Sequence, residues 1–426
     1  MTIAKPSGQA LFRHRDFVLL WGGQTVSQSG TQVTILALPL VAIVALKATT
    51  FQVGLLSVAD TSAYLLVALP AGVLADSMRR RPLMLSSCIA LMVVVGSVPV
   101  AQVAGILSLA QLYVVALVSS VLSVLFTEAY TSYLPALVKR DQLIDANGKL
   151  RTSQSFAELA GPSLGALLVG VFGSVQAIVG DALSYAFSSA CLLLIQSREP
   201  RVTPAGDRKR AGFRVQLGEA ITYVLHDPVL RKTVAWSGTA NFFVIMVETL
   251  GPVYLIRSVH LRPAYVGLLL AVGAAGGVTA GCMSGFLARR IGSARITWLS
   301  MTVFTVPGLL IPLARPGWWA LLFAIGWMSW TFGSTLCGVA VTTYQQATCP
   351  PELRGRVSGT ARWVTWGTLP LGGLAAGSLG SALGAHATLW IAAIGGCLSG
   401  LWLYFSPLRH MREMPLEKFQ PASSLT

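Results

Sequence analysis

Residues 53–82 read VGLLSVADTSAYLLVALPAGVLADSMRRRP, and the fold hangs on that stretch. An apolar run long enough to cross a bilayer holds one carboxylate, Asp60. It gives way to a Gly-x-x-x-Asp turn, Gly72 to Asp76, with arginines at 79–81. The stretch has an echo. Residues 266–290 read VGLLLAVGAAGGVTAGCMSGFLARR, so Val-Gly-Leu-Leu returns at an offset of 213 residues, half the chain. At the same offset GVLAD returns as GFLAR. A duplicated membrane unit is the economical explanation.

With 54% hydrophobic and only 11% charged residues, the chain lacks the charge of a water-soluble domain, where about a quarter of residues are charged. Twelve apolar spans can be drawn, at 18–45, 53–75, 83–104, 109–134, 153–173, 177–196, 229–255, 265–288, 296–314, 317–343, 358–381 and 384–405. The expectation is an all-α membrane protein of twelve transmembrane helices in two pseudo-symmetric six-helix bundles, 1–197 and 229–426. A polar, basic linker at 198–228 joins them, and within it 215–225 can form an amphipathic helix. A net charge of +15 invites a nucleic-acid partner, but the charge is distributed as topology. Of the 31 Lys and Arg residues, 27 fall on one side of the twelve spans; only Lys47, Arg257, Arg262 and Arg315 fall on the other. The positive-inside rule then puts both termini in the cytoplasm, with the bilayer itself as partner.

Intramembrane polar residues are costly and mark function by default. Gln24, Gln28, Thr31 and Gln32 recur at i, i+4, i+7 and i+8 and so share one helical face. That face looks into a cavity or bonds to a neighbouring helix. Asp60 reads as a coupling or cation-contacting acid, or as a structural hydrogen-bonding group. Glu158 in the fifth span and Glu248 in the seventh are further coupling candidates, each with a structural ion pair as the alternative. Asp181, near the end of the sixth span, reads as a helix N-terminal acid open to solvent. Asn241 adds a polar group to the second half. Trp327 and Trp330, three apart, share a face and form either an aromatic wall for a flat apolar or cationic molecule or core packing.

Here the resemblance becomes plain. The run GVLADSMRRR, with Gly72, Asp76, Arg79 and Arg80, resembles the loop 2–3 signature of the major facilitator superfamily, with Ser77 where that family usually has Arg. Residues 133–147, YLPALVKRDQLIDAN, and 350–357, PPELRGRV, resemble its drug and siderophore exporter branch, to which enterobactin and macrolide exporters belong. AGPSLG at 160–165, with Gly161, Pro162 and Gly165, is similar to the antiporter motif of the family's fifth helix. The resemblance implies a major facilitator fold and a gating role for these residues. It also implies export of an amphipathic small molecule, driven by protons or another coupling ion. The fourth span departs from it by lacking the arginine of many proton-coupled members, with Ser119 and Ser120 near that place.

Other classes have less to stand on. The chain has no Gly-x-x-x-x-Gly-Lys-Ser/Thr for a nucleotide, no His-Glu-x-x-His and no Gly-x-Ser-x-Gly. Its six cysteines form no Cys-x-x-Cys pair. No enzyme, cofactor, metal or nucleic-acid partner is expected, and the chain is expected to act as a monomer. An uptake symporter for a small nutrient and a non-transporting membrane sensor remain as alternatives.

Overall fold

The computed structural model describes residues 11, 14–67, 78–138, 142–197, 213–349 and 351–414. Helix α1, Arg15–Leu40, runs through Pro39 into a π-helical turn, Val41–Ala45. Then come α2, Thr50–Leu66, α3, Arg80–Val103, α4, Leu109–Leu137, α5, Leu143–Phe172, and α6, Ser174–Leu194. The linker contributes α7, Phe213–His226, over the stretch expected to be amphipathic. The second half continues with α8, Pro228–Arg257, α9, Pro263–Ile291, and α10, Ser293–Val303, which leads into a 3-10 helix, Val306–Leu313. It ends with α11, Leu321–Thr348, α12, Pro351–Trp366, α13, Leu369–Ala382, α14, Ala385–Ser399, and α15, Leu401–Tyr404.

Among the described residues, nine helical stretches are long and apolar enough to cross a membrane. The other three passages are α2, whose described part is 17 residues, α5, and the pair α12 and α13. Together with the nine they make the twelve passages expected from the sequence. Helix starts follow ordinary capping rules. Ser108 accepts from the Gln111 amide before α4, and Asp227 accepts from Val229 and Leu230 before α8, with Pro228 at its first position.

The duplication is written into the backbone. Lys47 and His260, the described non-glycine residues with positive φ (52° and 59°), stand 213 residues apart in the turns after the first and seventh spans. Gly105 (φ 70°) pairs with Gly317 (φ 79°), and Gly173 (φ 93°) with Gly384 (φ 84°), in the turns after the third and ninth and the fifth and eleventh spans. Left-handed backbone favours glycine, so these reversals are specified residue by residue. The helix-interior prolines repeat too: Pro39 and Pro252, Pro99 and Pro312.

The chain divides into two compact units, Met1–Ala48 with Ala59–Gly206, and Thr49–Val58 with Asp207–Thr426. In the first, α1 is held on two sides by small residues. Gly23 and Gly30 of α1 let α6 approach at Cys191, Ser188 and Ser184, while Gly161 and Gly165 of α5 receive Gln32, Val33 and Leu36. Arg81 at the start of α3 donates from Nε and Nη2 to the Leu192 and Leu193 carbonyls at 3.0 Å, a cation on the last turn of α6. Asp16 takes the Ser197 amide at 2.8 Å and the Ser197 hydroxyl just beyond that helix. In the second unit the core centres on Phe323, Trp327 and Trp330 with Met246, Leu250, Tyr254 and Leu389. The opening turns of α2 belong to this unit, where Ser57 accepts from Thr249 at 3.0 Å and Gly54 meets Gly377.

Candidate functional site

The polar stripe of α1 opens onto a cavity of about 150 Å3 inside the first unit. Gln24, Gln28, Thr31 and Gln32 all line it, so the stripe's spacing is reproduced in space. They are joined by Ser27, by Cys88 and Leu91 of α3, by Ser123, Phe126 and Thr127 of α4, by Gln154 and Ala157 of α5, and by Tyr185 of α6. None of these residues carries a formal charge. The wall is a mixture of amides, hydroxyls and apolar surface, which suits a ligand that is partly apolar and offers hydrogen bonds.

Several of the polar atoms are already engaged. The hydroxyls of Thr31 and Tyr185 lie 2.7 Å apart, bridging α1 and α6, and Thr31 also donates to the Ser27 carbonyl at 2.9 Å. The Trp21 indole donates to Ser153 at 2.7 Å, tying α1 to α5. By contrast, the amide oxygens of Gln24 and Gln28 are buried with no hydrogen-bond partner among the described residues. An unpaired buried acceptor costs about 1–3 kcal/mol, which a donor on a bound molecule removes.

The other sequence candidates are distributed differently. Asp60 is exposed on α2, close enough for its charge to act on the Tyr185 phenol. Glu248 is exposed on α8. Asn241 donates from Nδ2 to the Thr365 carbonyl at 3.1 Å, joining α8 to α12 inside the second unit. Arg79 is exposed at the N-cap of α3, and Arg80 opens that helix. Gly161 and Gly165 are buried against α1. Gly72 and Asp76 lie outside the described residues. Glu158 and Pro162 fall within α5, but their side chains lie outside the described set.

One open reading is resolved and one expectation is corrected. Of the two readings open for Trp327 and Trp330, the structure gives core packing: they are 7% and 2% exposed. Glycines admit them. A Cβ on Gly273 would lie 2.8 Å from Trp327 Cγ, and one on Gly308 would lie 2.8 Å from Trp330 Cε3, with Gly396 on the far side of that ring. Asp181 is not an acid open to solvent. It sits in the second turn of α6, 1% exposed, packed against Gly30 of α1. Its signal was present in the sequence: Asp181, Ser184, Tyr185 and Ser188 fall at i, i+3, i+4 and i+7, a polar face on an apolar helix, and all four are buried.

Comparison with known proteins agrees with this architecture. The multidrug efflux pump Tap of Mycolicibacterium fortuitum is 25% identical over 91% of this chain and 94% of its own length. The enterobactin exporter EntS of Salmonella choleraesuis is 26% identical over 86% of each chain. The crystal structure of a bacterial homologue of the iron transporter ferroportin superposes with a TM-score of 0.74 at 16% identity, covering 92% of this chain and 98% of that one. Residues 20–370 match the profile of the Major Facilitator Superfamily, and the chain belongs to that family of membrane transporters.

Proposed function

We propose that this protein exports an amphipathic small molecule across the cytoplasmic membrane in exchange for protons, by alternating access, as a monomer with both termini in the cytoplasm. The observation that carries the reading is the cavity: a pocket without formal charge, built from Gln24, Gln28, Thr31, Gln32 and Tyr185 in the middle of a membrane bundle. Such a wall offers contact and hydrogen bonds to part of a drug-like or siderophore-like molecule, since a volume of about 150 Å3 takes one ring-sized portion of it. The names of the relatives, an efflux pump and an exporter, favour the outward direction. The basic loops favour the orientation.

In this reading Asp60, with Glu158 or Glu248, carries coupling protons, and Asn241 extends the polar lining in the second half. Gly161, Pro162 and Gly165 let α5 slide against α1. Gly72, Asp76, Arg79 and Arg80 latch the cytoplasmic turn. Cells overproducing the protein should accumulate less ethidium and fewer amphipathic antibiotics than cells lacking it, and an uncoupler should erase the difference. Equal accumulation across such a panel, with and without the uncoupler, removes the export reading.

A further inference from the structure

The carboxyl of Asp181 is the most deeply buried acid described in the chain, and the cavity does not use it directly. It lies between α6 and α1, where Gly30 has no side chain to fill the space: a Cβ there would stand 2.6 Å from Asp181 Oδ1 and 2.8 Å from Ser184 Cβ. Ser184 donates to the Asp181 backbone carbonyl at 2.7 Å and lies 3.1 Å from Oδ1, while Oδ2 is buried with no hydrogen-bond partner among the described residues. Thr34 of α1 is the other hydroxyl within its reach.

The groups facing this acid are few. On its own helix stands Tyr185, whose phenol is acted on in turn by Cys88 of α3 and Asp60 of α2. Helix α1 presents Gly30 and the hydroxyls of Thr31 and Thr34. Helix α5 meets α6 through Leu168, which lies beside Gly180. Among the described residues no basic side chain acts on Asp181.

An isolated carboxylate is too costly to keep in such a place, whereas a carboxylic acid needs only one acceptor and one donor. The site is also one bond away from the cavity. Tyr185 and Thr31 line the cavity and close the seam between α6 and α1 with their 2.7 Å hydrogen bond, one helical turn from Asp181.

We propose that Asp181 is a second, buried proton site of the transport cycle, opened to the cavity by the parting of Tyr185 from Thr31. A proton from water adds to Oδ2 when the seam is open and is carried as the neutral acid. It returns to water as the carboxylate re-forms once the seam opens toward the other side. This rests on the proton-exchange reading above and adds a second place where the proton is held.

The full-length protein in liposomes tests it without knowledge of the natural cargo. The infrared difference spectrum between acidic and alkaline buffer should show a protonated-carboxyl band that disappears in Asp181→Asn and survives in Asp60→Asn. Tyr185→Phe should keep the band. With ethidium as probe, Asp181→Asn should lose efflux driven by a proton gradient while keeping ethidium exchange at equal pH. A band unchanged in Asp181→Asn, or gradient-driven ethidium efflux at the wild-type rate, overturns the proposal. Should Asp181→Asn fail to fold, Asp181→Glu carries the infrared test through a shifted band. A wild-type protein that moves no ethidium counts against the export reading, and the infrared band alone then decides for the proton site.

Discussion

Gly377 on α13 faces Gly54 on α2 so closely that a Cβ on Gly377 would stand 3.0 Å from the Gly54 Cα. Close approach of this kind leaves room for nothing larger than hydrogen. Overpacking in such a contact costs about 1–3 kcal/mol, so Gly377→Val should lower the apparent melting temperature of the detergent-solubilised protein. Gly22→Ala is the control. It meets no atom within 4 Å on α1, so it should be neutral or stabilising by about 0.5–1 kcal/mol.

The same logic applied to α5 predicts a functional effect. A Cβ on Gly161 would lie 2.8 Å from Gln32 Cγ, so Gly161→Val should push Gln32 off the cavity wall and reduce ethidium export at least about tenfold. Gly148→Ala lies on the same helix in open space and should export normally. Efflux rates for both variants, normalised to protein in the membrane, check this.

Trp330 separates a core role from a ligand-binding one. Enclosed by Gly308 and Gly396, it should cost about 3–5 kcal/mol when truncated to alanine. The expected result is loss of folded protein on size-exclusion chromatography. A well-folded Trp330→Ala with altered drug selectivity would contradict its placement in the core.

Asp227 does two jobs at the start of α8. It caps Val229 and Leu230 at 2.8 and 3.0 Å and accepts from the Tyr344 hydroxyl at 3.1 Å through Oδ2. Asp227→Ala should destabilise by about 0.5–2 kcal/mol from the cap and by more through the Tyr344 hydroxyl left behind. Tyr344→Phe keeps the cap and should cost about 1 kcal/mol. Thermal denaturation of the two variants side by side should rank Asp227→Ala below Tyr344→Phe.

Periodicity made part of this legible in advance. The stripe of Gln24, Gln28, Thr31 and Gln32 needs only its own helix to be recognised, because residues three, four, seven and eight apart face one way whatever surrounds them. The linker helix α7 was readable for the same reason. Asp181 was misplaced, and the tryptophans were left between two readings, because their burial is decided elsewhere in the chain. Asp181 is enclosed by Gly30 from α1, and Trp330 by glycines from two other elements. A glycine announces a missing side chain but not which distant residue will occupy the space. Hydropathy likewise locates a span without saying which of its faces meets lipid.

The paired reversals at Lys47 and His260, Gly105 and Gly317, and Gly173 and Gly384 bear on origin. A half-length ancestor with three such hairpin corners already possessed every connection needed on that side of the bilayer. Copying the gene in tandem then required only one new joint, the basic tether between the copies. The corners are the same in both halves while the interiors differ, amide-lined in the first unit and packed with tryptophan in the second.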